Sequence, residues 1–158
     1  MKVALVFLAV LACAVAQTTI ECREGWEAGD NSCYKVMKLK VHWIEAWTYC
    51  TAMRSSLVEI ESQEEQDRIA DILKTKYSDY YEQFWIGLSD MDTEGQWQNM
   101  RFKQNATYLN WIPGQPNNDN GRGENCAHIN AKPARGYKWN DHSCNAELNF
   151  ICEAFPLV

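Results

Sequence analysis

The sequence has little positive charge: its 158 residues include 15 Lys and Arg against 21 Asp and Glu, and its formal net charge at pH 7 is −6. A protein that binds nucleic acid needs a basic patch to neutralise phosphates. The acidic balance therefore argues against a nucleic-acid partner.

Long hydrophobic runs are also scarce, and the one present lies at the N-terminus, from Val3 to Val15. It follows Lys2 and ends in Ala14-Val15-Ala16, the pattern of a secretory signal with its cleavage site. The run is too short for a stable membrane anchor. We therefore predict a signal peptide over 1–16 and a secreted, extracellular single domain over 17–158, with no membrane span.

No Cys-x-x-Cys pair is present and the histidines are scattered, which argues against a zinc site. One of the seven cysteines, Cys13, lies in the predicted signal peptide. The exported chain keeps an even number, which predicts three disulfides in an oxidising compartment. Spacing alone leaves their pairing open, although Cys22 and Cys33 are close enough for a local bridge.

Signatures of catalysis are missing as well. The Ser, His and Asp residues form no nucleophile elbow or related motif, and every exported cysteine is expected in a disulfide. We predict a binding protein and not an enzyme.

Helical periodicity occurs in two segments. The first predicts an amphipathic helix over 42–54 with Cys50 on its buried side, and the second predicts a helix over 62–76 that opens with a capping box of Ser62 and Glu65. Residues 17–40 are expected to form short strands and turns. Runs of strand-forming residues predict strands at 84–88, 126–130, 136–140 and 148–154. Two helices followed by several short strands predict an α+β fold.

Residues 89–125 lack helical periodicity and are rich in Asp, Asn, Gln, Gly and Pro. Such a segment in a compact domain is usually functional, and we expect an ordered loop region. It contains Gln115-Pro116-Asn117 and Glu124, and Trp139-Asn140-Asp141 follows. Amide and carboxylate oxygens are ligands that Ca²⁺ prefers. A cis bond before Pro116 would hold the flanking side chains on one side of the loop.

These motifs, with Trp85-Ile86-Gly87-Leu88 and the cysteine spacing, resemble those of the C-type lectin-like domain family over essentially all of 22–153. The resemblance implies a double-loop α+β fold with two helices, short antiparallel sheets and a long calcium-binding loop. It also implies three disulfides: Cys50–Cys152, Cys126–Cys144 and, as the extra bridge of the family's long form, Cys22–Cys33.

In this family one calcium ion and two vicinal sugar hydroxyls share the same side chains. The resemblance places the calcium and sugar ligands at Gln115, Asn117, Glu124, Asn140 and Asp141, with a further contact from the Asp141 carbonyl. Tyr137 and His142 flank this set and are expected to contact the sugar. The implied function is calcium-dependent recognition of microbial or cell-surface glycans, in innate immunity or adhesion.

The loop triplet is a hybrid of two family patterns, because Glu-Pro-Asn accompanies mannose-type sugars and Gln-Pro-Asp accompanies galactose-type sugars. The sugar preference therefore stays open. Both patterns bring three carboxylates to the calcium, whereas this chain offers only Glu124 and Asp141. We expect weak calcium binding, of about 10⁻⁴–10⁻³ M or somewhat tighter.

A second family calcium site would take Asp90, Glu94 and Glu124. Two of its other carboxylate positions hold Asn118 and Asn125, so its negative charge is reduced.

The acidic charge and the hybrid triplet also fit a non-sugar member of the same fold that binds a protein, a calcium carbonate mineral or ice. No collagen-like or heptad segment is present to build an oligomer, although weak single sites gain from multivalency, and a homodimer or higher oligomer stays open. Asn105-Ala106-Thr107 is an N-glycosylation acceptor motif.

Overall fold

The computed structural model of the protein describes residues 20–77 and 82–157, so the predicted signal peptide over 1–16 lies outside the described residues. The described part contains helices α1 (Trp43–Ala52) and α2 (Gln63–Lys76). Its strands are β1 (Glu27–Ala28), β2 (Cys33–Val41), β3 (Ser56–Leu57), β4 (Gln83–Ser89), β5 (Gln98–Asn99), β6 (Gln104–Asn105), β7 (Cys126–Asn130), β8 (Trp139–His142) and β9 (Leu148–Ala154).

The strands hydrogen-bond in the order β1-β2-β9-β4-β5-β6, with β3 added to β9 and the β7-β8 hairpin added to β4. Strands β4 and β9 run parallel, and the other pairs are antiparallel. With two helices and three disulfides, this is the predicted α+β double-loop fold. None of the helices in the described part of the chain is long and apolar enough to cross a membrane.

Both helices lie within their predicted ranges. At the start of α2 the Ser62 hydroxyl accepts a hydrogen bond from the Glu65 N–H at 3.1 Å. The Glu65 carboxylate accepts from the Glu61 N–H at 2.9 Å, one residue earlier than a strict capping box requires. These bonds satisfy N–H groups that a helix start leaves unpaired, which is worth about 1 kcal/mol.

The strands predicted at 126–130 and 148–154 are confirmed, and the one at 84–88 is longer by a residue at each end. The expectation for 17–40 was wrong, because nine residues from Cys33 to Val41 form one strand. This stretch contains no Gly, Pro, Asn or Asp to interrupt it, a signal that strand rules could have used.

The strand predicted at 136–140 was also wrong in its bounds, since β8 begins at Trp139. A 3-10 turn at Pro133–Arg135 precedes it. Gly136 and Tyr137 then adopt left-handed φ values of 63° and 55°, which a β-strand does not accept. The shift moves Asp141 and His142 into the strand.

The three disulfides pair as the resemblance implied: Cys22–Cys33, Cys50–Cys152 and Cys126–Cys144. Cys50–Cys152 joins α1 to β9 across 102 residues, and Cys126–Cys144 closes the β7-β8 hairpin across 18 residues. Closing loops of these lengths removes about 3–5 kcal/mol each of unfolded-chain entropy in the simple model. That stabilisation suits a domain with so much irregular chain.

Hydrogen bonds hold the segment between β4 and β7 at its ends and in its middle. At the ends, the Ser89 hydroxyl donates to the Asn125 carbonyl at 2.6 Å. In the middle, Ile112 N–H donates to the Trp139 carbonyl at 2.8 Å, and Trp139 N–H donates to the Asn110 carbonyl at 2.9 Å. The Trp139 ring is 1% exposed, as expected of a core residue beneath the loop. The segment is thus an ordered loop set on a rigid base.

Candidate functional site

Asp141 is the centre of the predicted ligand set and is fully buried in β8. Its Oδ2 accepts backbone hydrogen bonds from Asn117 N–H at 2.9 Å and Asn118 N–H at 2.6 Å. Its Oδ1 is buried with no hydrogen-bond partner. A buried carboxylate oxygen without a partner is costly, so this atom is a candidate ligand for a cation.

Gln115 presents a second oxygen of this kind. The Gln115–Pro116 peptide bond is cis, the form that would hold the flanking side chains on one side of the loop. The Gln115 Oε1 atom is buried and has no hydrogen-bond partner. Asn117 differs, because it is exposed and its Oδ1 accepts from the Asp119 N–H at 3.0 Å. An amide oxygen has a second lone pair, so this bond leaves Asn117 able to bind a cation.

Glu124 lies opposite Asp141 and beside His142. Its Oε1 is 3.4 Å from His142 Nδ1. Burial raises the pKa of the Glu124 carboxyl above its usual value, and the Asp141 carboxylate raises it further. The two predicted carboxylate ligands therefore repel each other, and a cation between them would remove that repulsion.

Asn140 and the Asp141 carbonyl, both predicted to face the calcium, contact each other. The Asn140 amide nitrogen donates to the Asp141 carbonyl oxygen. Because that contact uses the amide nitrogen of Asn140, the Asn140 Oδ1 atom is the one left to bind a cation.

The structure brings Asp90 of the predicted second site close to the first. Asp90 is 2% exposed, its Oδ2 accepts from Gly95 N–H at 2.8 Å, and its Oδ1 is buried without a partner. Burial raises the pKa of the Asp90 carboxyl, and the charges of Glu94 and Asp141 raise it further. The neighbouring Asn125 Oδ1 is likewise buried and unpartnered. Glu94 itself is exposed.

Of the two predicted sugar contacts, only His142 lies with the ligand set. Its Nδ1 accepts from Ser143 N–H at 2.8 Å and also faces Glu124. Tyr137 packs against the hydrophobic core, and its carbonyl accepts from the Gln66 amide at 3.0 Å. The bonds of Tyr137 thus lead to helix α2 and not to the loop.

Two residues organise the site in ways that the sequence did not reveal: Gln66 was not predicted at all, and Asn118 was named only as a position of the second calcium site. Asn118 donates its N–H to Asp141, and its Oδ1 accepts from the Glu124 N–H at 2.6 Å. Gln66, 2% exposed on α2, accepts from the Trp139 indole N–H at 2.7 Å and so supports β8 from below. A Gln on the otherwise apolar face of α2 was the available signal for the latter.

Across residues 20–77 and 82–157, no three His, Cys, Asp or Glu side chains stand in a metal-binding cluster. Three of the five predicted ligands are amides, whose oxygens suit calcium but not transition metals. The donor set, with unpartnered buried oxygens on Gln115 and Asp141, therefore fits a hard cation.

Comparison with known proteins gives consistent matches. The family described as Lectin C-type domain matches residues 39–154. A perlucin-like protein of Mytilus galloprovincialis is 32% identical over 148 residues, covering 93% of this chain and 92% of the relative. The carbohydrate-recognition domain of cow CD23, solved in the presence of a GlcNAc2Man3 oligosaccharide, is 35% identical with a TM-score of 0.75, and the match covers 88% of this chain and 99% of that one.

A calcium-independent type II antifreeze protein also shares the fold, at 25% identity and a TM-score of 0.74, with 87% of this chain and 97% of that chain covered. The fold thus occurs in proteins of differing activity. The family match over residues 39–154, the relative aligned along nearly its whole length and the shared fold lead to one conclusion: this chain belongs to the C-type lectin domain family.

Proposed function

We propose that this protein is a secreted, non-enzymatic lectin that binds a sugar through a calcium ion held by its long loop and strand β8. The proposed ligands are Gln115, Asn117, Glu124, Asn140 and Asp141. Bound calcium supplies a Lewis-acidic centre that accepts two vicinal hydroxyls of the sugar.

One observation carries this proposal: the buried Gln115 Oε1 and Asp141 Oδ1 have no hydrogen-bond partner, and the charge of Asp141 acts on Glu124. Buried polar atoms in native proteins are nearly always paired, and an unmade bond costs about 1–3 kcal/mol. Two such atoms in the proposed ligand set are accounted for together by one cation.

The protein's own groups would fix the geometry. Because Asp141 Oδ2 is held by the N–H groups of Asn117 and Asn118, its other oxygen has a fixed direction. The Gln115 and Asn117 amide groups can each donate N–H to a hydroxyl oxygen, and Glu124 can accept a hydroxyl proton. The cow relative solved with an oligosaccharide supports this assignment to sugar binding.

Isothermal titration tests the proposal directly. Mannose, galactose, fucose and N-acetylglucosamine are titrated into the protein in calcium and again in EDTA. Heat of binding in calcium and none in EDTA is expected for at least one sugar. A flat titration for every sugar, together with a blank glycan array in calcium, would rule out the lectin assignment.

A second candidate is binding of ice, mineral or protein without calcium, and the antifreeze protein of the same fold favours considering it. The low charge of the ligand set, with two carboxylates among five side chains, also favours it. Thermal hysteresis or mineral adsorption that persists in Asp141→Ala, with no glycan bound, would establish this alternative.

We further propose that Asp90, Glu94 and Glu124 bind a second calcium more weakly. The unpartnered oxygens of Asp90 and Asn125 support this site. Its weakness follows from Asn118, whose Oδ1 is already bonded to the Glu124 N–H, and from the exposure of Glu94. A calcium titration with two resolved heats, the weaker of them lost in Asp90→Asn, would identify it.

A further inference from the structure

Arg122 projects from the tip of the loop that carries the proposed calcium ligands. Its side chain is 81% exposed. The flanking Gly121 and Gly123 have left-handed φ values of 91° and 85°, and a Cβ placed on either would meet no other atom within 4 Å. Side chains at this point therefore extend into open space.

Short hydrogen bonds connect this tip to the proposed site. Arg122 N–H donates to the Asn118 carbonyl at 2.9 Å, and Asn118 N–H donates to Asp141 Oδ2 at 2.6 Å. Glu124, two residues after Arg122, donates its N–H to the Asn118 side chain at 2.6 Å. The Arg122 backbone is thus linked to the central carboxylate through one residue, Asn118.

The present partner of Arg122 holds it only weakly. Its Nη1 is 3.2 Å from Asp119 Oδ2, in an ion pair whose Asp119 side chain is 45% exposed. Exposed pairs of this kind contribute little and exchange readily for a better-placed anion. A guanidinium carries five N–H donors and binds a carboxylate or sulfate with two of them at once.

We propose that Arg122 selects sugars that carry an anionic substituent, a carboxylate or a sulfate, over the neutral sugar of the same stereochemistry. This inference rests on the proposed calcium-dependent sugar binding. When calcium neutralises Glu124 and Asp141, the local repulsion of an anion falls and the guanidinium at the rim becomes the group that discriminates.

The test compares one ring in three forms: neutral galactose or N-acetylglucosamine, its 6-sulfate and its uronic acid. Each is titrated into four proteins in calcium: the unaltered chain, Arg122→Gln, Asp119→Asn and Arg135→Gln. Arg135 is the last residue of the 3-10 turn between β7 and β8 and is exposed, so its substitution is a matched control for the loss of one positive charge. Asp119 has a left-handed φ of 34°, a conformation that Asn tolerates well.

We expect the unaltered chain to bind at least one anionic form about three- to tenfold more tightly than the neutral form, which is the effect of one charge-assisted contact. Arg122→Gln should abolish this preference while neutral-sugar affinity stays within about twofold. Asp119→Asn should enlarge the preference, and Arg135→Gln should leave it unchanged. Added salt should reduce the preference, because the contact is exposed. Calcium affinity measured without sugar should be the same in Arg122→Gln and in the unaltered chain.

Equal affinity for neutral and both anionic forms would overturn the inference while leaving the lectin assignment intact. An equal loss of preference in Arg122→Gln and Arg135→Gln would also overturn it, since the cause would then be general charge. Failure of every sugar to bind in calcium would instead overturn the proposed function itself. Which anion gains, sulfate or carboxylate, identifies the class of glycan.

Discussion

Replacing Asp141 with Asn shows whether Asp141 is a calcium ligand or a structural residue, because the two roles predict opposite effects on stability in the absence of calcium. Asp141 Oδ2 accepts two backbone N–H bonds, which the Asn oxygen can keep. The amide nitrogen then replaces the unpartnered Oδ1. Substitution also removes a charge that raises the pKa of both Glu124 and Asp90. In EDTA we therefore expect Asp141→Asn to be at least as stable as the unaltered chain.

Calcium should reverse that order. For a dissociation constant of about 10⁻⁴–10⁻³ M, about 10 mM calcium stabilises the folded chain by RT ln(1 + [Ca²⁺]/Kd), or about 1.4–2.7 kcal/mol. For a domain of this size that raises the melting temperature by about 3–10 °C. Asp141→Asn should lose most of this increment, because an N–H donor now faces the cation.

Differential scanning calorimetry measures the melting temperature of the unaltered chain and of Asp141→Asn, each in EDTA and in calcium. Magnesium at the same concentration is the control for ionic strength, and it should stabilise much less because it requires a tight octahedral shell. A calcium-ligand role for Asp141 is contradicted if calcium leaves the melting temperature of the unaltered chain unchanged. It is equally refuted if Asp141→Asn gains the same increment, or if the substitution destabilises the protein by several kcal/mol in EDTA.

Three further predictions concern other parts of the molecule. Burial raises the pKa of Glu59 from 4.5 to about 7, so the folded state holds this proton more tightly than the unfolded state, and stability falls as pH rises between these values. Glu59→Gln should reduce that fall by about 2–3 kcal/mol between about pH 5 and pH 8, as followed by urea denaturation at each pH, and an unchanged pH profile would contradict it. Gln66→Met removes the acceptor of the buried Trp139 indole N–H and should cost about 1–3 kcal/mol; a loss below about 0.5 kcal/mol would show that the bond contributes little. Asn105 is exposed on edge strand β6, and its Oδ1 accepts from the Gln98 amide at 3.2 Å. Secretion from eukaryotic cells should therefore give a glycosidase-sensitive mass shift that Thr107→Ala abolishes, and an unshifted wild-type band would reject glycosylation.

The regular elements were largely predictable from sequence because their signals are local. The period of Trp43, Ala46 and Cys50 and the Ser62 cap depend on neighbours within one helical turn, and both helices appear where they predict. Strand β8 was misplaced because its start is set by left-handed backbone at Gly136 and Tyr137, which propensity does not encode. Spacing suggested only the local Cys22–Cys33 bridge, and the full disulfide pairing was available only through the family resemblance.

The residues of the candidate site were predictable from the sequence, but the hydrogen bonds between them were not. Residue types at 115, 117, 124, 140 and 141 indicate oxygen ligands, and the resemblance gives their grouping. The role of Asn118 depends on where three separate backbone segments meet, so its side chain bonds to Glu124 while its N–H bonds to Asp141. Tyr137 was assigned to the sugar from its nearness in sequence, but it lies before β8 with left-handed backbone, and its carbonyl accepts a hydrogen bond from Gln66 of α2.

The arrangement of charge around Asp141 gives a physical reason for a cation at this end of the sheet. Asp90, Glu124 and Asp141 are close enough that the charge of Asp141 raises the pKa of both others. Gln115, Asn125, Asp90 and Asp141 each hold a buried oxygen without a partner. In stability terms such a cluster is a cost that apolar residues of the same size would avoid. In natural proteins, packing, hydrogen bonding and charge generally all favour the native fold, and the exceptions are expected mainly at functional sites. A cation beside Asp141 would cancel its repulsion with Glu124 and give the bare oxygens of Asp141 and Gln115 a partner, and the proposed second ion would do the same for Asp90 and Asn125.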